Sequence, residues 1–94
     1  MPAQNINNNN EENKMEELKI VRLNAAKAIF AMPKSSFYDR VKRGLIPPSI
    51  SLGGRSVGWI QSELNEVIKA MAKGKSQDEI KKLVINLQSL RANI

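Results

Sequence analysis

Apolar residues are sparse over the first seventeen positions and then recur, with changing period, to the end of the chain. Leu18, Ile20 and Val21 form a short extended entry. A helix is expected over Ala25 to Phe30 with Asn24 as its N-cap, and its small face of Ala25, Ala26 and Ala28 lets a second helix come close. Ala31-Met32-Pro33 breaks the pattern. Proline suits the first turn of a helix, so the next one is expected from Pro33 to Arg43, ended by Gly44 at the position that favours positive φ. Pro47-Pro48 then forces extended chain.

Ser49 to Leu52 and Ser56 to Ile60 read as two short strands joined at Gly53-Gly54, which supply the positive φ of a tight hairpin. Ser62 is a candidate cap for a third helix, with Glu63 and Glu66 as helix-start charges and Leu64, Val67, Ile68 and Met71 on one stripe. Gly74 closes that helix. Ser76-Gln77-Asp78-Glu79 has the form of a capping box and starts a fourth helix to about Arg91. The fold class is therefore mainly α with a small β-hairpin: three helices around a hairpin, followed by one extra C-terminal helix.

On a helical wheel anchored at Phe37, Val41 and Gly44 share its side and must face the first helix, with Leu45 flanking. Ser35, Asp39, Lys42 and Arg43 lie opposite, with Ser36 and Tyr38 on the flanks. Lys34, Ser35 and Ser36 occupy the first turn, where unpaired backbone N–H groups and the helix dipole favour an anion. Asp39 is the odd member. It either accepts from a cytosine amine or pairs with Arg43 four residues on.

Charge gives this face a direction. Between Leu18 and Gly58 stand eight basic residues and one acid, Asp39, whereas residues 1–17 carry four Glu and one Lys. A small module with its positive field so placed is suited to nucleic acid. At the hairpin tip, Gly53, Gly54, Arg55 and Ser56 present a guanidinium on a thin loop, a form suited to a narrow minor groove. Trp59 is expected to anchor the core beneath that hairpin.

Ninety-four residues allow one domain. Residues 1–17, with Asn7 to Asn10 as a homopolymer run, are expected to be a disordered acidic tail. Residues 18–73 are expected to form the DNA-binding domain and 74–94 the C-terminal amphipathic helix. The chain has no cysteine and no histidine, which removes disulfides, thiol nucleophiles and the usual zinc sites. No catalytic residue, metal site or cofactor is expected, and four aromatics leave little for a base-stacking platform. No apolar run could span a membrane and no signal-peptide pattern is present, so the expected location is cytoplasmic.

Val21-Arg22-Leu23, Lys34-Ser35-Ser36-Phe37-Tyr38, Lys42-Arg43-Gly44-Leu45-Ile46-Pro47 and Leu52-Gly53-Gly54-Arg55-Ser56-Val57-Gly58-Trp59 occur in one order and spacing. Together they resemble the AlpA family of small prophage-type transcriptional regulators, related to winged-helix excisionases and to the DNA-binding domain of the MerR class. The likeness runs from about Ile20 to Met71. It implies a winged helix-turn-helix that binds double-stranded operator DNA, often in control of the integrase or excision functions of a mobile element. The recognition helix would supply Lys34, Ser35, Ser36, Tyr38, Asp39, Lys42 and Arg43, and the wing Gly53, Gly54, Arg55 and Ser56. Two positions depart from the family: Ala31, where glycine is usual, and Pro33, where a small polar cap is usual.

Two other functions fit the residues: an excisionase-like architectural role, and a protein-interaction module whose basic face docks an acidic partner. The glycine tip and its arginine favour DNA. In the last helix, Ile80, Leu83, Val84, Leu87, Leu90 and Ile94 form a stripe that an isolated helix could not leave exposed. It buries either in its own domain or in a homodimer through Ile80, Leu83, Val84, Leu87 and Leu90; a palindromic operator would favour the dimer.

Overall fold

The computed structural model describes residues 18–94. The tail expected over residues 1–17 lies outside them. Strand β1 (Ile20–Val21) leads into helix α1 (Leu23–Ile29) and helix α2 (Lys34–Lys42). Strands β2 (Ile50–Gly53) and β3 (Ser56–Ile60) form the hairpin, followed by helices α3 (Gln61–Ala72) and α4 (Gln77–Leu90) and a 3₁₀ turn, Arg91–Asn93.

The sheet has a third strand beyond the expected pair. Its order is β1-β3-β2, antiparallel throughout, with Val21 opposite Trp59 and Ile50 opposite Gly58. The two-residue β1 was expected only as an extended entry, too short for alternation to declare it. The register shifts between Ser51 and Gly53, a bulge that leaves Leu52 unpaired.

Two cap assignments are corrected. Helix α1 begins at Leu23 with Arg22 as N-cap, not at Ala25 behind Asn24. Leu23 is partly buried against the core, and a share of the about 1.5–3 kcal/mol that full burial of a leucine is worth offsets the roughly 1 kcal/mol of an N-cap. Helix α3 begins at Gln61 directly after β3, with Ile60 and not Ser62 as N-cap. No side-chain cap is needed for its first amide, because the Gln61 N–H donates to the Lys19 carbonyl at 2.8 Å. Ser76 and Glu79 do form the reciprocal capping box that opens α4.

The turn between α1 and α2 keeps its geometry without glycine. Ala31 sits at φ 52°, in the left-handed region. Its N–H donates to the Ala28 carbonyl while that of Met32 donates to Lys27, the two bonds of a Schellman motif. Gly44 closes α2 in the same way, through Gly44 to Val41 and Leu45 to Arg40. Pro33 falls one residue before α2, as its N-cap, instead of at its first helical position.

Two apolar clusters hold these elements together. In the first, Val21, Ala26, Phe37, Ile46, Trp59 and Leu64 join the sheet to α1, α2 and α3. Trp59 is 1% exposed and stands edge-on to Phe37 with ring centroids 5.1 Å apart. In the second, Leu45, Val67, Ile80 and Val84 join the segment after α2 to α3 and α4, with Leu83 and Leu87 against them. The C-terminal helix is thus built into the same body as the helix-turn-helix. What its stripe leaves to solvent is Leu90, half exposed, and Ile94 beyond it.

Candidate nucleic-acid interface

Helix α2 buries Phe37 completely and turns its other faces outward. Lys34, Ser35, Ser36, Asp39, Lys42 and Arg43 are all exposed. The N-cap is a proline, no side chain caps the helix, and no acid stands in its first turn. Its first-turn amides are therefore left facing outward beside a lysine and two hydroxyls, which is the arrangement an anion occupies.

Met32, Ser35, Ser36, Asp39, Arg40 and Arg43 line one open groove along this face. Arg40 was not among the expected site residues. Asp39 accepts from Arg43 at 3.4 Å, the i,i+4 pairing foreseen as one of its two roles, with both side chains at least half exposed. An exposed pair of this kind is weak, worth about 0.3–0.5 kcal/mol, and opens readily toward a ligand.

The hairpin stands beside the other flank. Gly53 has φ 104° and Gly54 φ 56°, conformations that leave the tip to glycine, and Arg55 follows directly. The Gly53 amide donates to Ser51 Oγ at 3.2 Å, which tightens the bend. Gly53, Gly54 and Arg55 are exposed, and Ser56 is half-buried. Arg55 and Tyr38 line a second open cleft, and Arg22, Leu23, Asn24 and Val57 complete it. The tertiary structure thus adds Arg22 to the basic surface, a residue noted in the sequence as part of the Val21-Arg22-Leu23 motif and not as a DNA contact. The signal available in the sequence was its membership of the basic run between Leu18 and Gly58.

Of the expected residues, Ser35, Ser36, Asp39 and Arg43 converge in the first groove, and Tyr38 and Arg55 in the second. Lys34 and Lys42 are exposed on α2 but line neither. Among the described residues there is no group of His, Cys, Asp or Glu able to hold a metal, and no helix long and apolar enough to cross a membrane.

A helix-turn-helix whose second helix is left open beside a β-hairpin wing defines the winged helix-turn-helix class. The family model described as prophage CP4-57 regulatory protein (AlpA) matches residues 19–71. The chain belongs to the AlpA family, whose members are regulatory DNA-binding proteins of prophage type. A 46-residue stretch is also 30% identical to the uncharacterized protein ORF88 of Enterobacteria phage P4, over 49% of this chain and 52% of that protein. The chain thus spans about half the length of that curated relative. No solved structure matches it.

Proposed function

We propose that this protein binds double-stranded DNA sequence-specifically, with α2 in the major groove and the hairpin as a wing on the adjacent backbone, and regulates transcription of a prophage or integrative element. The observation that carries the reading is the uncapped, acid-free start of α2, which opens beside the Ser35–Arg43 groove inside the most basic stretch of the chain. Hydroxyls and long cations on the first turns of such a helix reach base edges and phosphates, and the flanking wing sets its register.

The test is a mobility-shift titration with DNA from upstream of the protein's own gene, repeated over a range of salt. Log K should fall with log salt by about 0.9 per phosphate neutralised. A slope near zero would favour the protein-interaction reading. Strong bending of the bound duplex without any effect on transcription would favour the excisionase-like role.

Homodimerisation is a second reading, but not through the expected stripe, because Ile80 and Val84 are buried in the monomer's own core with Leu83 and Leu87 packed against them. What supports it is exposed Leu18, Leu90 and Ile94, which line one open apolar cleft. Sedimentation of the wild type and of Leu90→Glu tests it, because Leu90 can be changed without entering the buried cluster. A wild type that remains monomeric well above micromolar concentration rules the dimer out.

A further inference from the structure

The second cleft combines three elements that are far apart in the sequence. Arg22 enters it from the start of α1, Tyr38 from the flank of α2 and Arg55 from the wing, with Leu23, Asn24 and Val57 between them. Among the described residues no carboxylate lines it. The ion pairs among the described residues are Arg43–Asp39, Lys69–Glu66 and Arg91–Glu63, so neither Arg22 nor Arg55 is paired with a described acid. Two cations bordering one cleft repel one another, and an anion seated between them removes that repulsion.

The third member is held in place from below. The Tyr38 ring lies 6.1 Å from that of Phe37, edge-on, and 6.4 Å from that of Trp59, and both of those rings are buried. Tyr38 as a whole is 43% exposed although its ring packs on the core. The cleft measures about 360 Å³ and is open on its solvent side. It suits a group carried on a polymer running past it, where a small-molecule site would enclose most of its ligand.

We infer that this cleft seats one backbone phosphodiester of the bound duplex, gripped by Arg22 on the α1 side and Arg55 on the wing side, with the Tyr38 hydroxyl donating to it. The inference rests on the DNA-binding reading above and adds to it. It gives Arg55 the backbone phosphate that the wing meets, in place of the minor-groove role read from the sequence, and it brings in Arg22, which belongs to neither recognition helix nor wing. Guanidinium groups suit this task because their planar fork of donors matches phosphate oxygens two at a time. A clamp of this kind fixes where α2 enters the groove and carries no sequence information itself.

The experiment compares the wild type with Arg22→Gln, Arg55→Gln, the double variant and Tyr38→Phe, each checked for fold by circular dichroism. The probe is a duplex recovered by the wild-type protein from a random-sequence library, titrated at several salt concentrations beside a scrambled duplex. Each arginine variant should weaken both duplexes by the same factor. The double variant should lower the salt slope by about 0.9, the value of one phosphate, where two independent contacts would remove about 1.8. Tyr38→Phe should weaken binding several-fold with the slope unchanged. Neutral methylphosphonate placed at each linkage in turn should find one position at which the wild type and Arg22→Gln bind equally.

Wild-type affinity in Arg22→Gln overturns the clamp and leaves the recognition helix in place. An altered base preference in Arg55→Gln returns that arginine to the minor groove. Failure of the wild type to recover any duplex removes the DNA-binding reading itself, and the clamp with it.

Discussion

The guanidinium of Arg91 grips the carboxylate of Glu63 through both oxygens, at 2.6 and 2.8 Å, and donates further to the Pro48 carbonyl at 2.9 Å. One side chain from the end of the chain thereby ties the first turn of α3 to the segment that leads into the wing. The Glu63 side chain is 7% exposed and that of Arg91 22%. The hydrogen bonds to Glu63 raise the pKa of Arg91 above its ordinary value.

Arg91→Ala would leave a buried carboxylate without its partner, which typically costs about 3–5 kcal/mol; the partial exposure of Arg91 places this case at the low end. Arg91→Met/Glu63→Gln, which removes both charges, should recover much of that loss. Urea denaturation checks both. If Arg91→Ala loses under about 1 kcal/mol, the clasp is not a structural element.

Ala31→Gly should stabilise the fold. An L-residue in the left-handed region costs roughly 1–2 kcal/mol, and the freer unfolded chain of the glycine variant returns about 0.4–1 of that. A net gain of about 0.5–1 kcal/mol should raise Tm by a few degrees. A lowered Tm would show that Ala31 is held there by contacts glycine cannot make.

Gly58 is a matter of space, because its φ is not in the left-handed region. An added Cβ would lie 2.6 Å from Ile20 Cγ2 and 3.2 Å from both Leu52 Cδ1 and the Val21 carbonyl oxygen. Gly58→Ala must push Ile20 aside and strain the β1–β3 contact, at a cost of about 1–3 kcal/mol. Thermal unfolding measures it; a wild-type Tm would mean that Ile20 swings clear at no cost.

For the recognition helix, Ser35→Ala and Lys42→Ala should change the order of preference among duplexes. A lost bidentate base contact is worth about 1–3 kcal/mol, and a single hydroxyl contact falls at or below the low end. Competition against a randomised site library is the readout. Uniform weakening by both variants would make α2 a positioning helix only.

The capping box of α4 sets a pH dependence. The Ser76 amide donates to Glu79 Oε1 at 2.8 Å and holds the Glu79 carboxyl below its ordinary value of 4.5. A depressed folded pKa means that the stabilisation is complete above the unfolded value and is lost as pH falls through the folded one. Helix content should therefore drop on acidification below about 4.5, and Glu79→Gln, which keeps the hydrogen bond without the charge, should flatten that part of the curve. Superimposable acid titrations of the two proteins would remove Glu79 as the cause.

Local chemistry announces most of the chain's elements. Gly44 and Gly74 end α2 and α3, and Ser76 to Glu79 opens α4, because caps depend on a few adjacent residues. The Gly53-Gly54 tip between two short runs declares the hairpin for the same reason. Family membership follows from short motifs in fixed order. Where burial competes with local preference, sequence reading fails: Leu23 starts α1 ahead of Asn24, and Gln61 starts α3 ahead of Ser62. Contacts between distant residues lie beyond it altogether. Glu63 reads as a helix-start charge, yet only the folded chain brings Arg91 to it across 28 positions. Arg22 reads as one member of a family motif, with no contact assigned to it, until folding sets it in one cleft with Tyr38 and Arg55. The sequence by itself determined the elements, the basic stretch and the family, since these rest on neighbours along the chain. The tertiary structure alone decided which charges are paired, which are left to face a ligand, and how far α4 joins the core, since these depend on distances that local pattern does not encode.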